Sequence, residues 1–200
     1  MEKPAKTEYQ IHEIIAKRWS PRALDASKPV SREHLHSLME AARWAPSCFG
    51  DEPWRYIVWD RFSDEDSWQK AYECLVPGNQ SWCKNAPVLM ISIADTLFEY
   101  NDSPNRFGQY DTGAASENLV LQAAALGLAA HQMGGFDPEK ARKTFSIPER
   151  YVCMSMIAVG HPASPDILDE ALRQKELEER SRKPAASRFF EGNWGKPVKS

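Results

Sequence analysis

The 200-residue chain has no G-x-S-x-G elbow, no G-x-x-x-x-G-K-[ST] loop, no H-E-x-x-H helix and no G-x-G-x-x-G turn. Serine-elbow hydrolysis, P-loop phosphate chemistry, that zinc signature and a nicotinamide nucleotide held on a Rossmann unit therefore lose their sequence support. A basic excess is also missing. Twenty-five Lys and Arg stand against 28 Asp and Glu, a net charge of −3, so nucleic acid is not an expected partner. The four cysteines form no C-x-x-C pair, and the opening MEKPAKTEYQIHEII carries no apolar leader stretch. The expectation is free thiols in a reducing cytoplasm. Only Thr112 to Met133 invites a membrane reading, and Glu117, Asn118, Gln122 and His131 interrupt it, so a buried helix is expected and no membrane contact. His34 and His36 stand two apart and point to different helix faces, so no metal site is expected.

With 42% apolar and 26% charged residues, the chain reads as one globular domain over residues 1–200, long enough to bury a core unaided. Helices and strands intermix. Ile11, Ile14 and Ile15 make an apolar stripe on a short helix that ends before Pro21. A second helix runs from an N-cap at Ser31 to Ala45, with Leu35, Leu38, Met39 and Ala42 on one face. Tyr56 to Trp59 reads as a strand, Ser63 to Glu73 as a helix, and Val88 to Ile93 as a strand covered on both faces. Asp111 is read as the N-cap of a long helix reaching Ala130, and Asp137-Pro138-Glu139 opens a short helix to Lys143. Val152 to Val159 is a third strand. Asp166 to Arg180 reads as a charged helix with Glu176/Arg180 and Glu178/Arg182 in the favourable i,i+4 order. The tail from Pro184 carries Phe189, Phe190 and Trp194, which are costly in water and suggest docking on a partner subunit.

Four polar segments are candidates for chemistry. Arg18-Trp19-Ser20-Pro21-Arg22 offers two guanidiniums and a hydroxyl at a helix end, a grip for a phosphate, or equally a solvated terminus. Ala45 to Trp54 is a loop with exposed backbone N–H groups and a large aromatic, or a plain connection. His131 to Asp137 contains Gly134-Gly135, where a ligand could approach the backbone, although a helix C-cap accounts for one glycine. Arg180-Ser181-Arg182-Lys183-Pro184 is basic, and by itself a solvated charge run.

Taken in order, these segments resemble the nitroreductase family of FMN-dependent oxidoreductases. The chain carries the R-x-S-x-R element at Arg18 to Arg22, an A-P-S-like segment from Ala45 to Tyr56, and a glycine turn from Gly127 to Asp137. A strand ending in Gly160-His161-Pro162 follows, then the basic Arg180 to Pro184 and Trp194-Gly195. The resemblance spans residues 11 to 195. It implies an α+β, three-layer fold with a mixed central sheet, as an intertwined homodimer whose long helices pack together and whose tails, from about residue 184, cross to the mate. Two FMN sites would lie between the subunits.

By the same resemblance, Arg18, Trp19 and Ser20 would stand at the phosphate and ribityl, with Arg180 and Arg182 completing the clamp. Arg22 would stand at the pyrimidine edge in an electrostatic role, and Asn79 would read that ring. Pro46, Ser47 and Cys48 would approach from the other subunit, while Gln132, Met133, Gly134 and Gly135 would line the isoalloxazine. The implied chemistry is ping-pong reduction of a nitroaromatic, a quinone or another small aromatic electron acceptor, with NADPH or NADH as reductant. A specialised flavin enzyme (dehalogenation, ene reduction or flavin breakdown) and a non-catalytic FMN carrier are the alternatives. Gly50 stands where the family usually has Asn, Glu52 where it usually has Gln, and Trp19 where it has a smaller or polar residue. The turn-rich segment Phe98 to Tyr110 is read as a lid with Phe107 and Tyr110 near the acceptor, or as a surface connection.

Overall fold

A computed structural model describes residues 2–199. Each of the three predicted strands is present and slightly longer than the sequence suggests: β1 at Trp54–Asp60, β2 at Val88–Asp95 and β4 at Tyr151–Gly160. A fourth, β3, spans Ala129–Met133. The sheet order is β1-β2-β4-β3 and every pairing is antiparallel. The mixed sheet implied by the resemblance is thus corrected for this chain's own strands; the α+β class stands.

Strand alternation sorts the apolar residues into two cores. On one face of β2, Val88 and Met90 join Ile157 and Val159 of β4 against α2 (Arg32–Arg43) and α5 (Gly108–Ala125). On the other face, Leu89, Ile91 and Ile93 join Met156 and Ala158. There they meet α3 (Glu65–Tyr72), α4 (Pro77–Cys83) and α6 (Pro138–Thr144), through Trp68, Trp82 and Ala141. The result is helix, sheet, helix, and all eight residues of β2 are buried as its continuous apolar run requires.

Caps explain most helix boundaries. Ser31 accepts the His34 N–H at 3.1 Å, Asp64 that of Ser67 at 3.0 Å, and Asp137 that of Lys140 at 2.9 Å. The short α1 (Glu13–Lys17) forms, but Ile11 and Ile15 of its stripe stay exposed.

Two boundaries differ. The long helix starts at Gly108, one turn before Asp111, because the Asp111 carboxylate accepts the Cys48 N–H at 2.9 Å instead of capping. It ends at Ala125, not Ala130, because Gly127 turns left-handed at φ 71° and Leu128 N–H returns to the Ala123 carbonyl at 2.8 Å. That Schellman closure frees Ala129 to Met133 to pair with β4. The last helix, α7, covers only Glu170–Leu177, capped by Asp169. The predicted Glu176/Arg180 and Glu178/Arg182 pairs do not form, since Arg180 and Arg182 lie beyond its end. In the tail Phe190 packs on Trp194, while Phe189 and Trp194 remain exposed.

Candidate functional site

The segment Arg18 to Ala23 runs from the end of α1 past the β3 edge of the sheet. Two elements hold it. From β3, His131 Nδ1–H donates to the Pro21 carbonyl at 3.1 Å, and its ring packs on Trp82 of α4 at 4.7 Å. From α7, the buried Glu176 carboxylate reaches back: its Oε1 accepts the N–H of Arg22 at 2.8 Å and of Ala23 at 3.1 Å. Burial drops the His131 pKa to about 4, and the Arg22 and Arg18 charges push in the same direction, against the hydrogen bond to Pro21. The imidazole is therefore neutral at pH 7.

At the head of the segment, Arg18 Nη1 lies 3.4 Å from the Ser20 hydroxyl and its Nε 3.6 Å from Glu117. Arg180 comes to the same place from beyond α7, donating to the carbonyls of Lys3 at 2.7 Å and Ala16 at 2.8 Å. Burial lowers the Arg180 pKa, and the nearby Arg18 and Arg182 charges lower it further. Three guanidiniums that disfavour one another, with one half-exposed carboxylate nearby, form a donor set suited to a multiply charged anion. The strap from Lys3 to Lys6 closes this corner. Lys3 Nζ stands 4.7 Å over the Trp19 ring and donates to the Glu176 backbone carbonyl at 2.7 Å. Beneath it lies a cavity of about 290 Å³ lined by Trp19, Ala124, Leu128 and Pro162.

At the other end, Arg22 lies close enough to Cys83 of α4 for its charge to oppose the burial that raises the Cys83 pKa. Asn79 stands four residues before Cys83, on the same side of that helix. Its Nδ2 donates to the Gly135 carbonyl at 2.9 Å. A Cβ at residue 135 would fall 2.6 Å from that nitrogen, so close packing of α4 explains this glycine; Gly134 has open space around its Cα. Gln132 is exposed, whereas the Met133 side chain is buried with its sulfur 3.3 Å from Cys83 Sγ. Only the backbone of Met133 can face a ligand. Arg18, Trp19, Ser20 and Arg22 thus run along the β3 edge with Arg180 and Arg182 at the head of that segment, Gln132 lies on β3 itself, and Gly134, Gly135 and Asn79 meet beyond the strand's end.

Pro46, Ser47 and Cys48 do not join them within this chain. Their loop is pinned to the first turn of α5 by Asp111, and Asp51 clamps it onto the next loop by accepting Glu99 N–H at 2.9 Å and Asn105 Nδ2 at 3.1 Å. Phe49, 81% exposed, meets Phe98 and Tyr100 edge-on at 5.9 and 6.0 Å. Phe49, Gly50 and Glu52 are left-handed, at φ 57°, 68° and 48°. Gly50 is a mild departure in this light, because asparagine and glycine are the residues that best tolerate that conformation. Glu52 is exposed, so its charge is solvated. Within the expected lid, Phe98 and Asn105 are buried, Phe107 precedes the first residue of α5 without a side-chain capping bond, and Tyr110 stands exposed on its first turn.

Sequence reasoning missed Glu176 and the structural part of His131. Glu176 sits in a charge run that looks solvated, and no local pattern marks the one carboxylate that turns inward. His131 follows two alanines that look like more helix.

A family model described as the nitroreductase family matches residues 15–161. A Methanothermobacter thermautotrophicus protein with the provisional name NADH dehydrogenase/NAD(P)H nitroreductase is 31% identical over 157 residues, covering 76% of this chain and 78% of its own. A solved structure described as an oxidoreductase containing FMN has a TM-score of 0.88 at 34% identity, covering 94% of this chain and 95% of its own. A nitroreductase structure in complex with FMN, from Desulfovibrio desulfuricans, has a TM-score of 0.71 at 25% identity, covering 94% and 99%.

Proposed function

This chain belongs to the nitroreductase family of oxidoreductases, and from that premise we propose that it binds FMN along the β3 border and uses NADH or NADPH to reduce a small aromatic acceptor such as a nitroaromatic or a quinone. The observation that carries the reading is the cluster of Arg18, Arg180 and Arg182 beside the Ser20 hydroxyl, at the head of the segment that leads to Arg22. Those residues fit the cofactor: a phosphate for the guanidiniums, and a ring with hydrogen-bonding edges for Asn79 and the open backbone at Gly134.

When bound, FMN supplies hydride chemistry between the nucleotide and the acceptor. Arg18, Ser20, Arg180 and Arg182 would anchor the phosphate. Arg22 would place a fixed positive charge where negative charge accumulates, at the pyrimidine edge. Asn79 commits one N–H to Gly135 and keeps its carbonyl oxygen for the ring. Gln132, Gly134 and Gly135 would present backbone to the ring plane, with Met133 fixing that backbone from below. None of these roles demands an acid, a base or a nucleophile.

A homodimer completes the proposal. Pro46 to Cys48 lie away from this chain's own arginine cluster and would serve the partner's. Exposed Ile11, Ile15, Phe189 and Trp194 are surfaces such a partner would cover. We place residues 1–200 in one FMN-binding domain with the tail from about 184 crossing to the mate, and the protein in the cytoplasm. Among the described residues no helix is long and apolar enough to cross a membrane.

The test is direct. Purified protein supplied with FMN should turn yellow and bleach anaerobically on NADH or NADPH, and an added nitroaromatic or quinone should restore the colour. Yellow protein that neither nucleotide bleaches would make it a carrier, and protein that takes up no FMN would end the reading.

A further inference from the structure

Glu176 is the carboxylate that no sequence pattern assigns to the site, and its two oxygens are treated differently. Oε1 holds the backbone of Arg22 and Ala23. Oε2 is buried, has no hydrogen-bond partner, and lies 3.8 Å from Arg22 Nη1. The side chain of Glu176 is 1% exposed and that of Arg22 30% exposed. The carboxylate therefore stands behind the guanidinium, inside the protein, with the far side of Arg22 turned outward. Glu176 is the one carboxylate within ion-pair distance of Arg22 among the described residues, and His131 beside them is neutral.

Holding two backbone N–H groups does not require a charge, since a glutamine carbonyl would accept both. Keeping an ionised oxygen buried beside an arginine without a hydrogen bond is costly, and the ion pair offsets the cost incompletely. The arrangement has a consequence for Arg22: a negative charge at 3.8 Å cancels part of the field it projects outward.

We propose that Glu176 is a positioning residue that sets the electron affinity of the bound flavin, by fixing the register of Arg22 and damping its charge. The inference rests on the placement of Arg22 at the flavin's pyrimidine edge. Hydride transfer from NADH or NADPH delivers two electrons and one proton and leaves oxidised nicotinamide. Arg22 balances the negative charge left at that edge, and Glu176 limits how strongly it does so. A damped Arg22 keeps the reduced state energetic enough to pass its electrons on.

The experiment is a dye-coupled reductive titration of FMN-loaded protein, which reads the midpoint potential without turnover. Glu176→Gln keeps the backbone acceptor and removes the charge. The oxidised–reduced equilibrium should shift about tenfold toward the reduced form, about 30 mV upward for a two-electron couple. In an Arg22→Gln background the potential should start below that of the wild type and the same change should still raise it, because the two charges act on the flavin additively. An unmoved potential in folded, flavinated Glu176→Gln overturns the inference and leaves the FMN reading intact. Should Glu176→Gln fail to fold, Glu176→Asp decides: the shorter side chain draws the carboxylate back from Arg22, the potential should rise above that of the wild type, and an unchanged value overturns the proposal. Wild-type protein that takes up no FMN overturns the underlying reading instead.

Discussion

Asn79 and Gly135 are interlocked: the Asn79 amide donates to the Gly135 carbonyl at 2.9 Å and fills the space a side chain at residue 135 would need. Gly135→Ala should therefore push the amide away and strain Val76, whose Cγ2 would lie 3.0 Å from the new methyl. A loss of about 1–2 kcal/mol is expected in denaturant unfolding, together with weaker FMN retention. Gly134→Ala, which meets nothing within 4 Å, should unfold like the wild type.

The arginine cluster sets the next expectation. Arg182→Ala should weaken FMN retention, measured by equilibrium dialysis, and make it less sensitive to added salt. Arg180→Ala should do so more strongly, because Arg180 also donates to Lys3 and Ala16 and its loss loosens the amino-terminal strap. A double variant that purifies fully flavinated would show that the phosphate is held elsewhere.

His131 titrates at about 4 in the folded chain, pushed down from 6.5 chiefly by burial. The unfolded chain therefore binds more protons between those values, and stability falls as pH drops from about 6.5 to about 4. The contribution is on the order of 1–3 kcal/mol. Comparing His131→Gln with wild type by chemical denaturation should show a gap that depends on pH inside this window and stays constant above it. A gap with no pH dependence would contradict the neutral imidazole.

Asp51 joins the Cys48 loop to the Phe98–Asn105 loop through two hydrogen bonds, from Glu99 N–H and Asn105 Nδ2. Asp51→Ala should free Phe49, whose left-handed backbone is held by its surroundings. Ratios of kcat/KM across a panel of aromatic acceptors should change, whereas the anaerobic rate of flavin reduction by nucleotide should not. Unchanged ratios would make the two loops a surface connection.

Much of this architecture is legible in the residue order. Alternation and continuous apolar runs identify β1, β2 and β4, and Ser31 and Asp137 mark helix starts. β3 is hidden because Ala129-Ala130 continues the composition of the helix before it, and one glycine, Gly127, separates the two. α4 is hidden because Pro77-Gly78-Asn79 has the composition of a turn, though proline also suits the first helical position. In the site, the arginines and Asn79 are singled out only through the family resemblance, since alone they read as solvated charges and a turn. Glu176 does not, because its role depends on a partner 154 positions away. Charge runs carry no mark of which member is buried.

The strap from Lys3 to Lys6 makes the segment before α1 and the end of α7 one mechanical unit. Lys3 grips α7 through the Glu176 carbonyl, Arg180 grips Lys3 in return, and Lys6 pairs with Glu179 at 2.7 Å. An affinity tag or a trimmed start at this end is consequently an alteration of the proposed anion clamp, and preparations that differ only in such a tag should differ in how much colour they keep through purification.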